Sequence, residues 1–187
     1  MDKWEKLSTE VINDNPWTSF LKDRFRLPNG KEGDYYYLHT DGCVLAIPVQ
    51  DDGKIIMARQ YRYLFDRESL EFPSGGVNKG GQTVDEALEA ELAEEAGVKA
   101  GHKELIHKFS SANGVYDEYV HAYLVWGLEK DIRESDETEE FELVYLTFDE
   151  VEELMTNGEI WDSFSLAAWM VARDRVKELI DQLKKKQ

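Results

Sequence analysis

The sequence predicts an α+β fold built on one main domain, and three observations lead there. Strands and helices succeed one another without the regular strand–helix–strand alternation of a parallel sheet. The 187 residues, 42% hydrophobic and 12% aromatic, suffice for one full core with a small accessory piece. The strand character also changes near Gly42, from interrupted segments to continuous apolar runs.

In chain order, residues 6–12, 17–27 and 35–40 read as strands with polar interruptions. Asn29-Gly30, between the second and third, is a hairpin turn signal. The run CVLAIPV at 43–49 is apolar throughout, residues 51–53 form a turn, and 54–62 read as the next strand. Thr83 followed by Glu86 is a capping box that starts a helix at about Val84, and Gly97 is placed to end it in a left-handed conformation. Strands are expected near 104–109 and 119–127, an acidic loop at 134–140 and a strand at 141–148. A short helix at 149–158 is stopped by Gly158, and an amphipathic helix spans 163–184. Residues 1–40 are set apart as an N-terminal β subdomain from a domain of residues 41–187.

The formal charge of -17 argues against nucleic acid and anionic membrane as partners. No apolar run reaches the length of a membrane span, and the first residues lack a signal-peptide core. The single cysteine, Cys43, excludes an internal disulfide and lies in a strand, where a buried inert thiol is expected. Together these features point to the cytoplasm.

The helix after Thr83 carries Glu86, Glu89, Glu91, Glu94 and Glu95 and no basic residue. Like charges at i,i+3 and i,i+4 repel by a few tenths of a kcal/mol per pair. Glu91, Glu94 and Glu95 fall within an arc of about 100°. Beside a glycine-rich loop, such a face offers oxygen ligands to a hard cation such as Mg²⁺. Without that loop, a solvated helix of good helix formers would explain the same residues.

The stretch 76–98 resembles the box of the Nudix hydrolases. Gly76, Glu91, Leu92, Glu94, Glu95, Gly97 and Val98 match its pattern at the right spacing. The segments QYR at 60–62 and EFPSGG at 71–76 are similar to the strand and loop preceding the box in the branch that cleaves ADP-ribose and nucleotide sugars. SANGVYDE at 111–118 resembles that branch's Ser-Pro-Gly-x-x-Asp-Glu loop, and 158–169 its closing helix. Two positions depart from the box: Gln82 stands where glutamate is usual, and Ala90 replaces an arginine that orients a neighbouring glutamate.

The resemblance implies an α/β/α sandwich with a mixed sheet plus the small N-terminal β subdomain. It further implies a Mg²⁺-dependent hydrolase, with Mn²⁺ as the alternative ion. Such an enzyme cleaves the diphosphate of ADP-ribose or a nucleoside diphosphate sugar into a nucleoside monophosphate and a sugar phosphate. Glu91, Glu95 and the backbone at Gly75 would hold the metal. Glu94 and a loop glutamate, Glu137 or Glu139 with Glu140 behind them, would be catalytic, although an acidic loop is ordinarily just solvated. Arg62, Glu71 and Glu118 would bind substrate or support its loop, whereas His107 and His121 are structural. Ser111-Ala112-Asn113-Gly114 lacks the proline frequent in the ADP-ribose subgroup, which favours GDP-mannose or another nucleotide sugar. A domain that binds nucleotides without cutting them, and a hydrolase of damaged nucleoside triphosphates, stay open as alternatives. The branch implies a homodimer in which Phe25 or a nearby aromatic stacks on the base held by the other subunit.

Overall fold

The computed structural model describes residues 2–77, 81–131 and 141–185. Two sheets organise them. The first is a three-stranded antiparallel sheet of β1 (Glu5–Asp14), β2 (Ser19–Arg26) and β3 (Glu32–His39), in that order. The turn at Asn29-Gly30 closes β2 onto β3: Gly30 adopts φ 85°, and the Leu27 amide donates to the Lys31 carbonyl at 2.8 Å. Ion pairs lace the sheet across strands, Lys6 to Asp23 at 2.8 Å and Arg24 to Asp34 at 3.1 Å. Surface pairs of this kind add little to stability. Trp4, Val11, Ile12, Trp17 and Tyr36 remain exposed.

The second sheet has the order β10-β5-β4-β9-β8, from β4 (Cys43–Val49), β5 (Ile55–Arg62), β8 (Val98–Phe109), β9 (Val120–Lys130) and β10 (Glu142–Leu146). The short strands β6 (Arg67–Glu71) and β7 (Ser74–Gly76) add to β5 and β4. The β4–β9 pair is parallel and the others are antiparallel, so the sheet is mixed. β4 explains the layering. Cys43, Leu45, Ile47 and Val49 face one core together with Ala168, Trp169, Ala172 and Val176 of α3 (Ser163–Lys184). Val44 and Ala46 face the other, with Ala87, Leu88 and Leu92 of α1 (Val84–Glu95). A strand covered on both faces must be apolar at every position, and the CVLAIPV run is.

The capping boxes at Thr83–Glu86 and Thr147–Glu150 start α1 and α2 (Phe148–Asn157), and Gly158 at φ 83° ends α2. The edge strand β8 begins at Val98, earlier than its sequence suggests. Its polar residues face solvent, and a register shift between Leu105 and His107 breaks the alternation. β6 also escaped the sequence reading. Among the described residues no helix is long and apolar enough to cross a membrane.

Candidate active site

A cleft of about 1070 Å³ opens at the end of the large sheet where β5, β7 and the segment after β3 meet the start of α3. Glu71, Glu118 and Asp162 line it, and two glutamates of α1 pack directly behind its β7 wall. The Ser74 amide donates to the buried Glu95 carboxylate at 2.8 Å. One turn earlier, Glu91 rests on the α-carbon of Gly75, where a β-carbon would lie 2.0 Å from its Oε1. Only glycine allows that approach. Glu94, on the same helix, is exposed, whereas Glu91 is half-buried and Glu95 buried.

More carboxylates converge here. Cys43 is buried, and burial drives its thiol far above the usual pKa, reinforced by the negative fields of Glu118, Glu91, Glu95 and Asp162. Such a thiol is inert as a nucleophile. Arg62 is the one Lys or Arg among the described residues lining the cleft, and it is already engaged. Its Nε donates to Glu71 Oε1 at 2.8 Å, and its Nη2 donates to Glu71 Oε2. The hydrogen bonds it donates to this buried carboxylate, against some burial cost, hold the guanidinium pKa above its ordinary value. Two of five N–H donors are committed, so the fork retains capacity for a further anion.

Aromatic residues make up much of the rest of the lining. Trp161 stacks under the Arg67 guanidinium, 3.8 Å from its ring centre, and meets Phe65 edge-on at 4.9 Å. Tyr61, Tyr63, Tyr116 and Trp17 join them. The outer face of α1 is neutralised separately, by Lys103 of β8 at 2.9 Å from Asp85 and 3.6 Å from Glu89.

Among the described residues no three His, Cys, Asp or Glu side chains stand close enough to enclose a metal ion by themselves. Two adjacent carboxylates, one braced on a glycine and one on a backbone amide, suit a different case. Mg²⁺ binds through one or two carboxylates while substrate phosphates and water complete its shell. The donor set fits that ion.

The NUDIX domain family model matches residues 39–167, most of the chain. The chain belongs to the Nudix family. A second model, the nucleoside diphosphate sugar hydrolase N-terminal domain, matches residues 4–38. This Nudix protein is 31% identical over 164 residues to the methanol dehydrogenase activator of Bacillus methanolicus, covering 87% of this chain and 88% of the relative. It is 35% identical over 139 residues to the ADP-ribose pyrophosphatase of Bacillus subtilis strain 168, covering 73% and 75% of the two chains. Its fold matches the crystal structure of an ADP compounds hydrolase with a TM-score of 0.83, over 96% of this chain and 97% of that one, at 22% identity. The enzyme is thus a Nudix pyrophosphatase, and its α/β/α sandwich with a mixed sheet is the fold expected from the box.

The Nudix cleft brings together Arg62, Glu71, Gly75 and Glu118, with Glu91 against Gly75 and Glu95 against Ser74. Phe25 does not line it; within its own subunit it stacks on Trp4 at 4.6 Å and covers Gly33. Glu137, Glu139 and Glu140 lie outside the described residues. Sequence reasoning missed Asp162 and the aromatic lining. Trp161-Asp162 lies inside the segment resembling the closing helix, so the signal was there, but nothing local ties it to β5.

Proposed function

We propose that this enzyme cleaves the diphosphate of ADP-ribose or a related nucleoside diphosphate sugar, with Mg²⁺ as its ion. The observation that carries this reading is a carboxylate pair, Glu91 on Gly75 and Glu95 on Ser74, packed directly behind the wall of a cleft that aromatic rings also line. The pair suits a metal-bound diphosphate and the rings a nucleobase. The relatives named ADP-ribose pyrophosphatase support that substrate class, and the loop 111–114 leaves GDP-mannose in the panel.

The bound ion would supply positive charge to the phosphate oxygens and acidify an attacking water. Glu91 and Glu95 would hold that ion beside the Ser74–Gly75 wall, and Gly75 keeps Glu91 in place by leaving room for it. Arg62, oriented by Glu71, offers its remaining N–H donors to the phosphates or terminal ribose. Glu118 reaches the same space and accepts from a ribose hydroxyl. The proton of the attacking water goes to Glu137 or Glu139. The chain emerging from that segment enters β10, which pairs with β5, the strand that carries Gln60 and Arg62 to the cleft. A catalytic role for Glu94 rests on the family likeness alone.

Ala90 and Gln82 motivate the competing reading of a domain that binds without cutting. Purified protein incubated with ADP-ribose, GDP-mannose, UDP-glucose and NADH, with and without Mg²⁺, separates the two. The expected result is Mg²⁺-dependent release of a nucleoside monophosphate from at least one of them. Binding without any product selects the competing reading. Pyrophosphate release from nucleoside triphosphates, with diphosphates untouched, selects the triphosphate hydrolase.

We also propose that residues 1–40 form a dimerisation subdomain attached to a hydrolase domain of residues 41–187. A three-stranded sheet leaving Trp17 80% exposed has apolar surface to cover, and Tyr63 and Leu64 at the cleft mouth are 84% and 88% exposed. Sedimentation or light scattering should give twice the 21.7 kDa subunit mass. An active monomer at micromolar concentration would refute the dimer. Deleting residues 1–40 cannot decide it, because Trp17 and Thr40 line the cleft of their own subunit.

A further inference from the structure

The small sheet does more than sit beside the cleft. β3 runs alongside the loop 111–118 and fixes it over four successive residues. The Tyr35 hydroxyl donates to the Gly114 carbonyl at 2.8 Å. The Leu38 amide donates to Val115 at 2.8 Å, the Asp117 amide donates to Leu38 at 3.3 Å, and Leu38 and Tyr116 form a parallel bridge. His39 Nδ1 stands 2.8 Å from Asp117 Oδ2. The next residue on each chain then brings the pairing into the cleft, where the Thr40 hydroxyl donates to Glu118 Oε2 at 2.9 Å.

The direction of that bond is set by its surroundings. The Gly42 amide, which can only donate, points at the Thr40 oxygen at 3.1 Å, so the hydroxyl proton is turned toward the carboxylate. The Gly42 carbonyl in turn accepts from the Val77 amide at 2.9 Å, tying the network to the strand that carries Gly75. The other Glu118 oxygen accepts from the Ser111 hydroxyl at 2.6 Å. One hydroxyl on each oxygen holds a half-buried carboxylate in one orientation.

We propose that Thr40, assisted by Ser111, is a positioning residue that aims the Glu118 carboxylate at the sugar half of the substrate, so that the small sheet helps to set substrate affinity in its own subunit. This rests on the reading of Glu118 as substrate-binding. A carboxylate held by two donors keeps its remaining lone pairs for a ribose diol. It also loses the rotamer freedom that binding would otherwise have to remove.

The test is a double-substitution cycle, read as KM and kcat for Mg²⁺-dependent ADP-ribose cleavage, with the Kd of ADP-ribose alongside. Thr40→Val keeps the shape and removes the donor; it should raise KM and Kd about tenfold or more, the scale of a hydrogen bond to a charged group, with kcat less affected. Thr40→Ser, which keeps the donor, should restore both. Glu118→Gln alone should weaken binding, and adding Thr40→Val to it should cost little more. Ser111→Ala provides a second route should Thr40→Val melt early. If Glu118→Gln binds as wild type does, the substrate reading of Glu118 falls and this inference with it. If Glu118→Gln weakens binding while neither Thr40→Val nor Ser111→Ala does, or if Thr40→Val costs as much in the Glu118→Gln background, the positioning role alone is overturned.

Discussion

Replacing Glu95 by glutamine is expected to cut kcat by on the order of 10²- to 10³-fold while leaving the protein folded. The two effects separate because of how Glu95 is held. Its Oε2 accepts the Ser74 amide at 2.8 Å, and the side-chain oxygen of glutamine can accept the same bond in the same volume. The substitution thus removes a charge while keeping that acceptor, and the melting temperature without metal should stay close to that of the wild type. Mg²⁺ should raise the melting temperature of the wild type, by binding the folded state, and do so much less for the variant. Initial rates with ADP-ribose and thermal melts at two Mg²⁺ concentrations measure all of this. Equal rates for the two proteins would remove Glu95 from the site, and a collapsed melting temperature would make it a structural residue.

The parts of this molecule that sequence revealed are those whose causes are local. The capping box at Thr83–Glu86, the left-handed Gly97 and the unbroken run of β4 each report a condition imposed within a few residues. The crowding of glutamates on α1 was visible for the same reason, since helical periodicity alone puts Glu91 and Glu95 on one face. What stayed hidden depends on distant partners. Gly75 is a loop glycine in sequence, and only the packing of α1 on β7 shows that its missing side chain makes room for Glu91. Trp161 looked like part of a helix entry, yet its ring is placed by Phe65 and Arg67. Thr40 had no signal at all, because its role depends on a carboxylate 78 residues away. Phe25 stacks on Trp4 within its own subunit, a contact that the sequence alone does not show. Arg62 and Glu71 were both visible, but their bidentate pairing was not, and that pairing governs what happens when either is changed.

Arg62→Ala should lower both stability and activity, and a second substitution should restore only the first. Glu71 is 2% exposed, and the Arg62 fork satisfies both of its oxygens. Removing one partner of a fully buried pair costs about 3–5 kcal/mol, because the remaining charge stays buried without compensation. The Arg62 side chain is 41% exposed, so water can enter and replace part of the lost interaction. The expected cost is nearer 2 kcal/mol, a fall in melting temperature of roughly 4–8 °C for a chain of this size. Glu71→Gln in the same protein removes the stranded charge and should recover most of that loss. Activity should not follow, because the fork that served the phosphates is still missing; a deficit on the order of 10²-fold should persist in the double variant. Arg62→Lys should behave like a partial loss in both measurements, since a point charge cannot make two parallel hydrogen bonds to Glu71 and also reach an anion. Melting curves and kcat/KM for the three proteins decide the matter. If activity returns together with stability in the double variant, Arg62 only supports the loop; if Arg62→Ala melts as wild type does, the buried pair contributes nothing to folding.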